Sequence, residues 1–519
     1  MQSLIPSSDD REQVEFYVSC RNLKNMDIMS KSDPQVRLYF KNTSNNTWSF
    51  FGETEIAKND LNPNFQVTFQ VAFIFETNQH IKFEVVDSDG SGSSELIGSV
   101  ETTVGAVMGA RKQTWTEDLK LKDKKTGQII VKGEKVDFQC LSVSWQWSGV
   151  KLMNTDGWFG KSDPFLRFFK KKADGDYLLV HETEVIKNNL NPVWKPFKIP
   201  EKKLYADSSA DFKVECWDRE GSGKHQFIGE FETSIEKIKS GMTEYELHNP
   251  KKKSKTGTLK VSNLSIGPPD VTFVDYLRAG TQLNIVVAID FTGSNGSPNN
   301  SDSLHHKSKD PPNQYAQAIS SICPIVLNYD FDGLVPLYGF GGVAPWTGGT
   351  SHCFPLANSG ASEEVKGVEG ILEAYYSCLE TVSLSAPTNF ETVIQSVNHK
   401  CAVIKEAEQD QYVVLLILTD GEISDMPETI EEIVNASELP LSIIIVGVGK
   451  ADFKNMEKLD GDNGVLKSKG RQSTRDLVQF VPFRDYKGDP GLLASKVLAE
   501  VPNQLLQYMK MINKKPLAL

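Results

Sequence analysis

The chain shows two different patterns of hydrophobic and polar positions. Between about residue 14 and about residue 266, short runs alternate apolar and polar side chains, as at 14–18, 35–40 and 81–85. Clusters of Gly, Asn, Asp and Pro separate these runs. Alternation with a period of two between turn-forming clusters predicts half-buried antiparallel strands. Many short strands of this kind predict a β-sandwich.

The pattern changes after Gly267-Pro268-Pro269, where apolar runs no longer alternate. Residues 283–289, 412–418 and 441–448 are almost entirely apolar, and helical stretches lie between them. Strands that are apolar on both faces predict a mostly parallel sheet covered by helices. The last part of the chain is therefore predicted to be a doubly wound α/β domain.

The alternating part of the chain contains an internal repeat. The tetrapeptide Lys-Ser-Asp-Pro at 31–34 returns at 161–164, which is 130 residues later, and three further matches keep nearly the same spacing. These matches are 61–63 with 190–192, 83–87 with 214–218, and 97–98 with 228–229. We therefore expect two sandwiches, at 11–133 and 136–266, then a linker at 267–279 and the α/β domain at 280–510.

Composition narrows the possible functions of the 519 residues. Apolar residues make up 39% of the chain and charged residues 24%, which is typical of folded globular domains. The net charge of −12 offers no general attraction to nucleic acid, so no nucleic-acid partner is expected. Seven widely spaced cysteines without a C-x-x-C pair indicate a reducing compartment, the cytoplasm. No apolar run approaches the roughly 20 residues that span a bilayer, so any membrane contact is expected to be peripheral.

Carboxylates are concentrated in two predicted loops of the first repeat. Asp27 and Asp33 lie in one loop, and Asp87, Asp89 and Glu95 lie in another with Gly and Ser between them. Five carboxylates at one end of a sandwich would repel each other unless a cation neutralised them, and Ca²⁺ accepts six to eight oxygen ligands. Alternatively, Asp, Gly and Ser are simply turn formers. The tandem occurrence of the pattern favours calcium.

These loops resemble the first and third calcium loops of C2 domains. The similarity rests on Asp27 with Ser-Asp-Pro at 32–34, and on the second acidic loop before Ile97-Gly98. In C2 domains the carboxylates of these loops bind calcium, and the loop tips contact acidic phospholipid. The resemblance implies that the calcium ligands of the first repeat are Asp27, Asp33, Asp87, Asp89 and Glu95.

The second repeat departs from this pattern. Asp156 precedes Asp163 by seven positions rather than six, Glu220 follows Asp218 where an Asp is expected, and Gln226 replaces the last carboxylate. Because fewer charges weaken calcium binding, we expect this site to bind more weakly, or only after lipid phosphates complete the ligand shell. The resemblance implies that its ligands are Asp156, Asp163, Asp218 and Glu220.

Apolar side chains flank the carboxylates in both repeats. Exposed apolar residues beside a cation site are expected to insert among lipid headgroups. The candidates for lipid contact are Met26, Ile28, Met29, Trp158 and Phe159. Lysines at 170–172, with Lys195, Lys198 and Lys202, offer an alternative contact with phosphoinositides, although a solvated charged face is the commoner explanation.

Oxygen-bearing side chains follow two buried strands of the α/β domain. Asp290, Thr292 and Ser294 come after the strand at 283–289, and Asp420 follows the strand at 413–418. Thr388 lies in a polar loop between them. Alone, D-x-T-x-S is a common polar turn. Together, hydroxyls and few carboxylates suit Mg²⁺ or Mn²⁺ in an octahedral shell with a position open to an outside ligand.

This set resembles the metal-ion-dependent adhesion site of von Willebrand factor A domains. That resemblance implies that Asp290, Thr292, Ser294 and Thr388 lie in or near the first shell of the metal, and that Asp420 acts through water. Two C2-like repeats followed by an A-type domain resemble the copine family over about residues 11–510. The stretches that carry this likeness are 290–296, 387–390, 439–449 and 476–484.

The copine resemblance implies a calcium-dependent phospholipid-binding adaptor whose α/β domain recruits cytosolic partner proteins. Such a protein is expected in the cytoplasm, moving to the inner face of the plasma membrane or to other membranes when calcium rises. The sequence contains no G-x-S-x-G, H-E-x-x-H or kinase catalytic-loop pattern, so we expect no enzyme and no catalytic residues. The adjacent His305 and His306 are expected to be solvated. The alternative is a membrane-recruited enzyme that uses the α/β-domain metal for lipid or nucleotide chemistry.

Overall fold

The computed structural model describes most of the chain from residue 12 to residue 516. Residues outside the description are 29, 43–44, 89–93, 137–140, 157–159, 172–174, 206–207, 221–224, 253–254, 268–270, 309, 461–464 and 487. The described chain divides into two compact units. One unit combines Met1–Val136 with Val271–Leu519, and the other is Asp137–Asp270.

The first repeat forms an antiparallel sandwich, which we call the first sandwich. Its strands lie in the order β3-β2-β5-β6-β7-β8-β1-β4, and a single residue pair, Ser99 with Lys120, joins the two sheets at β6 and β7. The elements are β1 (Gln13–Arg21), β2 (Pro34–Asn42), β3 (Thr47–Glu53), β4 (Phe69–Ala72), β5 (His80–Ser88), β6 (Ser94–Thr103), α1 (Val104–Gly109), β7 (Thr114–Leu121) and β8 (Lys124–Lys135).

The second repeat forms the second sandwich from two four-stranded sheets. The sheets have the orders β11-β10-β13-β14 and β12-β9-β16-β15, and every pair of neighbouring strands is antiparallel. The elements are β9 (Ser142–Val150), β10 (Pro164–Lys171), β11 (Tyr177–Glu182), β12 (Phe197–Pro200), α2 (Glu201–Leu204), β13 (Phe212–Asp218), β14 (Gln226–Thr233), α3 (Ile235–Lys239), β15 (Glu244–Glu246) and β16 (Thr258–Gly267).

The remaining elements form the α/β domain. They are α4 (Phe273–Arg278), β17 (Gln282–Asp290), α5 (Gln314–Leu327), β18 (Leu334–Phe340), β19 (Gly342–Val343), β20 (Phe354–Pro355), β21 (Glu364–Lys366), α6 (Gly367–Thr381), β22 (Ser383–Leu384), α7 (Glu391–Glu406), β23 (Gln411–Thr419), α8 (Met426–Ala436), β24 (Leu441–Gly447), β25 (Lys467–Ser468), β26 (Arg471–Gln472), β27 (Val478–Pro482), α9 (Pro490–Leu498) and α10 (Val501–Met511). Its main sheet has the order β20-β18-β17-β23-β24-β27.

The alternating and continuous apolar patterns explain the two architectures. In β1, the buried positions are Val14, Phe16, Val18 and Cys20, so one face of the strand meets the core. In the α/β domain, β18, β17, β23, β24 and β27 are parallel neighbours. Every residue of β24 is buried, because helices cover both faces of this sheet. The predicted fold classes are confirmed.

Two local features refine the sequence analysis. The segment 267–279, predicted to be a linker, contains helix α4, whose start is stabilised by reciprocal hydrogen bonds between Thr272 and Asp275. Among the described residues, no helix is long and apolar enough to cross a bilayer.

Candidate calcium and metal sites

Three carboxylates of the second sandwich converge at one end of the fold. Asp156 lies in the loop between β9 and β10, Asp218 ends β13, and Glu220 lies two residues later. One oxygen atom from each side chain lies within 4.8 Å of the other two. Gln226 donates a hydrogen bond of 2.6 Å from Nε2 to Oε1 of Glu220. The residue that replaces the last carboxylate of the pattern thus orients one of the remaining carboxylates.

Asp163 connects the loops of this site through hydrogen bonds. The backbone N–H of Asp163 donates to Oδ1 of Asp218 at 2.6 Å, and Oδ1 of Asp163 accepts from the backbone N–H of Asn188 at 2.7 Å. The hydroxyl of Thr155 donates to the other oxygen of Asp218. Asp218 is buried, and these contacts fix its carboxylate beside Asp156.

The acidic cluster is electrostatically unfavourable in the absence of a cation. Desolvation raises the pKa of Asp156 above its usual value, and the negative charges of Asp218, Glu220 and Asp163 raise it further. A divalent cation bound among these oxygens would relieve that repulsion. The donor set, which consists of carboxylate oxygens in loops, suits the hard cation Ca²⁺.

The first sandwich contains the same pair of hydrogen bonds between its acidic loops. The backbone N–H of Asp33 donates to Oδ1 of Asp87 at 2.6 Å, and Oδ1 of Asp33 accepts from the backbone N–H of Asn59 at 2.7 Å. Asp87 lies opposite Glu95 in the pairing of β5 with β6. Asp27 follows β1 at the same end of the sandwich, and its Oδ2 accepts from Ser30 at 2.7 Å. Of the five predicted ligands, Asp89 lies outside the described residues.

The described apolar residues of the first loop differ in exposure. Ile28 is 99% exposed, as expected for a side chain that enters a membrane. Met26, by contrast, is partly buried and packs against the core, and its backbone N–H donates to Ser32 Oγ at 2.8 Å. The other three candidates for lipid contact, Met29, Trp158 and Phe159, lie outside the described residues.

Two lysines of the lysine-rich surface of the second sandwich already have partners within the domain. Lys170 donates to the backbone oxygen of Lys202 at 2.6 Å, and Lys171 lies 3.6 Å from a carboxylate oxygen of Glu232. Glu232 offsets the charge of Lys171, and the contact of Lys170 occupies one of its donors, so both lysines have less to offer an anionic ligand.

The α/β domain brings its predicted metal ligands together at the carboxyl ends of β17 and β23. The hydroxyl of Thr292 donates to Asp290 Oδ1 at 2.5 Å, and the Ser294 hydroxyl donates to Asp420 Oδ1 at 2.8 Å. The two hydroxyl oxygens lie 2.9 Å apart. Thr388 is buried in a neighbouring loop, and its backbone oxygen accepts from the backbone N–H of Ser424 at 2.8 Å.

Two buried carboxylates face each other at this edge of the sheet. Burial raises the pKa of Asp290, and burial together with the negative charge of Asp290 raises the pKa of Asp420 to about 7. Two carboxylates and two hydroxyls in a buried position fit Mg²⁺ or Mn²⁺, because a divalent cation would stabilise both charged carboxylates.

Neither Thr419 nor His305 was assigned to this site from the sequence. Thr419, the last residue of β23, donates from its hydroxyl to Asp290 Oδ2 at 2.7 Å. The rest of this strand is almost entirely apolar, so its pattern gave no sign of a polar contact. His305 was expected to be solvated, and that expectation is wrong. Its ring is fully buried, stacks on Phe291 and Tyr315, and lies 2.8 Å from the backbone oxygen of Asp290. Burial lowers the pKa of His305 to about 4.

Comparison with known proteins identifies the family. A copine family model matches residues 303–517, and the C2 domain model matches residues 14–118 and 144–250. Copine-B of Dictyostelium discoideum is 39% identical over 533 residues, which cover 99% of this chain and 99% of that protein. This chain belongs to the copine family. Copine-E of the same organism is 41% identical over 520 residues, which cover 97% of this chain and 88% of that copine.

The two sandwiches are thus C2 domains of a copine. Among solved structures, the calcium-bound tandem C2 domains of extended synaptotagmin 2 cover 50% of this chain and 98% of their own at 14% identity. The TM-score of 0.24 is too low to add to the assignment. Copine membership with two C2 domains places the protein in a class that binds membranes in response to calcium. The matching relatives are named as copines and not as enzymes.

Proposed function

We propose that this copine is a calcium-dependent adaptor that docks on acidic phospholipid through both sandwiches and offers its α/β domain to cytosolic partner proteins. The observation that carries the proposal is the convergence of Asp156, Asp218 and Glu220 at one end of the second sandwich. The equivalent hydrogen bond between Asp33 and Asp87 in the first sandwich supports it. Cytoplasmic protein would then move to a membrane when calcium rises.

Charge explains how calcium would control docking. Without a cation, the acidic loops repel an acidic membrane as well as one another. Bound calcium supplies positive charge and leaves coordination positions that lipid phosphates fill. The loops of the first sandwich then approach the headgroups, and Ile28, which is 99% exposed, enters the interface. The switch is therefore electrostatic.

The α/β domain would contribute a second, separate binding function. Asp290, Thr292 and Ser294 would hold Mg²⁺ or Mn²⁺ together with Thr388, and Asp420 would act through water. The hydrogen-bonded chain from Asp290 to Asp420 supports this assignment, because it brings the oxygen atoms of four candidate ligands together at one edge of the sheet. The open position of the metal suits an acidic side chain from a partner protein.

Co-sedimentation with phosphatidylserine vesicles at graded free calcium tests the proposal. We expect binding to rise with calcium in the parent chain, and the calcium requirement to increase strongly in Asp33→Asn with Asp89→Asn. The matched control is Glu101→Gln with Glu117→Gln, which removes two exposed carboxylates from β6 and β7 of the same sandwich. Binding that ignores calcium in the parent chain would contradict the proposal.

Membrane insertion at the first loop is tested separately. Ile28→Ser is expected to weaken vesicle binding at saturating calcium, because the variant no longer transfers an apolar side chain from water to the interface. Val67→Ser is the control, since Val67 is also exposed on the first sandwich but lies outside the acidic loops. Equal losses in both variants would contradict a specific role for Ile28.

A further inference from the structure

The first sandwich packs against the α/β domain through a shared apolar core. The loop after β4 places Phe75 against Phe273 of α4 and against Tyr329 at the end of α5, with ring centroids 4.9 and 5.2 Å apart. Phe73 also meets Tyr329, at 6.5 Å. All four aromatic side chains are buried, and they belong to one continuous hydrophobic cluster that extends through both domains.

Helix α1 of the first sandwich packs against the α/β domain as closely as helices pack in a protein core. A Cβ atom added at Gly109 would lie 1.9 Å from the backbone oxygen of Asn328, and one added at Gly105 would lie 2.9 Å from Nδ2 of the same residue. The three nearest atoms to the added carbon at Gly109 all belong to Asn328 and Tyr329. Such close packing is a property of protein cores.

Polar groups, most of them partly buried, complete the interface. Lys135, the last residue of β8, donates to Asp275 Oδ2 at 2.7 Å and to Thr272 Oγ1 at 3.0 Å. Thr272 in turn donates to Glu12 at 3.0 Å, and Gln113 donates to the backbone oxygen of Leu277 at 3.0 Å. Separation of the two domains would leave these groups without their partners.

The same contacts show how the second sandwich is connected. The side chains of Lys135 and Thr272 touch, so the chain leaves the first unit and returns to it at neighbouring points. Residues 137–270, which contain the second sandwich, lie between these points along the sequence. The second sandwich is therefore an insertion into a unit made of the first sandwich and the α/β domain.

The proposed ion sites both lie away from this interface. In the first sandwich, β1 begins at the interface beside Glu12 and ends nine residues later before the loop of Asp27. In the α/β domain, β17 begins beside Tyr329, where Leu283 donates to the backbone oxygen of Tyr329, and ends at Asp290. At about 3.3 Å per residue, each strand spans roughly 30 Å.

We propose that the first sandwich and the α/β domain unfold as one cooperative body, so that calcium bound at the far end of the sandwich stabilises the α/β domain. The calcium part rests on the proposed function of the acidic loops, whereas the cooperative part rests on the interface alone. Because only the folded body holds the calcium site, the stabilisation reaches every element that unfolds with it. The second sandwich unfolds independently.

Hydrogen exchange of the full chain, read by mass spectrometry, tests the cooperative part without calcium. The slowest amides of β23 report global opening of the α/β domain. Ile97→Val, in the core of the first sandwich, is expected to speed their exchange by about two- to tenfold. The matched control is Ile228→Val at the repeated position of the second sandwich, which is equally buried and is expected to leave β23 unchanged.

A second pair of variants tests the interface itself. Gly109→Leu is expected to block docking against Asn328. In a chain that carries Gly109→Leu, the addition of Ile97→Val is therefore expected to leave the exchange rate of β23 unchanged. Gly491→Leu is the control, because an added Cβ there meets only Asp489 Oδ1, at 3.6 Å. If Ile97→Val leaves β23 unchanged in a chain that retains Gly109, the two domains unfold separately and the proposal is wrong.

Calcium then distinguishes this proposal from the proposed function. At free calcium of about 100 times the dissociation constant, exchange of β23 is expected to slow by about 100-fold in the parent chain. Slowing in the first sandwich without slowing in β23 would overturn the coupling. No slowing in either domain, together with a response of β23 to Ile97→Val, would refute calcium binding by the first sandwich and leave the cooperative body supported.

Discussion

Neutralising Glu220 should weaken calcium binding at the second sandwich by a predictable amount. Glu220→Gln removes one negative charge, and it keeps both the shape of the side chain and an oxygen that can accept from Gln226. The variant also leaves intact the contacts of Asp218 that hold the loops together. Its effect on calcium affinity is therefore dominated by charge.

The magnitude follows from distances in the cluster. A carboxylate oxygen about 2.4 Å from Ca²⁺ contributes roughly 3.5 kcal/mol of attraction at the dielectric constant of water. The repulsion of Glu220 by Asp156 and Asp218, whose oxygens lie within 4.8 Å, is present both with and without calcium, so it does not change the calcium affinity. The net loss is therefore about 3.5 kcal/mol, which raises the dissociation constant about 300-fold. A lower effective dielectric constant would increase this figure.

The assay is a calcium titration by calorimetry in a full chain that carries Asp33→Asn with Asp89→Asn. In this background the remaining calcium response is expected to belong to the second sandwich. Glu236→Gln is the control, since Glu236 is an exposed carboxylate on α3 at the opposite end of the same sandwich. No calcium response in the background chain would refute the reasoning, and so would an equal shift in Glu220→Gln and Glu236→Gln.

Two further predictions concern the α/β domain. Magnesium at about 100 times its dissociation constant should stabilise the parent chain by about 2.7 kcal/mol in scanning fluorimetry. Asp290→Ala and Asp420→Ala should abolish this gain, and Asp452→Ala, at an exposed site, should retain it. Because the pKa of His305 falls from 6.5 to about 4 on folding, only the unfolded chain gains a proton in that range. Stability should therefore fall by up to about 3 kcal/mol as pH drops from 6.5 to 4, and His305→Gln should lose this part of the dependence in urea titrations. An identical pH profile in that variant would contradict the burial argument.

The connection between domains has a consequence for membrane docking. If calcium anchors the loops of the first sandwich on lipid, the interface at Phe75 and Lys135 brings the α/β domain to the membrane together with the sandwich. The second sandwich, inserted at Val136 and Val271, would add its own calcium-dependent contact.

The sequence by itself determined the architecture and some of the side chains that become neighbours. Alternating and continuous apolar runs are local signals, so they predicted sandwich strands and buried parallel strands correctly. The repeated tetrapeptide revealed the duplication. Asp290 and Asp420 were predictable neighbours, because the carboxyl ends of parallel strands meet at one edge of a sheet, and the structure links them through Ser294.

Only the tertiary structure decided which side chains converge and which are buried. Gln226 looked like a lost ligand, but pairing of β13 with β14 places it where it orients Glu220. His305 looked solvated, because a polar loop gives no periodic sign that aromatic rings from α5 and α6 enclose it. Contacts between Lys135 and Thr272 join residues separated by an entire domain. No local pattern encodes such contacts, since they depend on how the folded chain brings distant segments together.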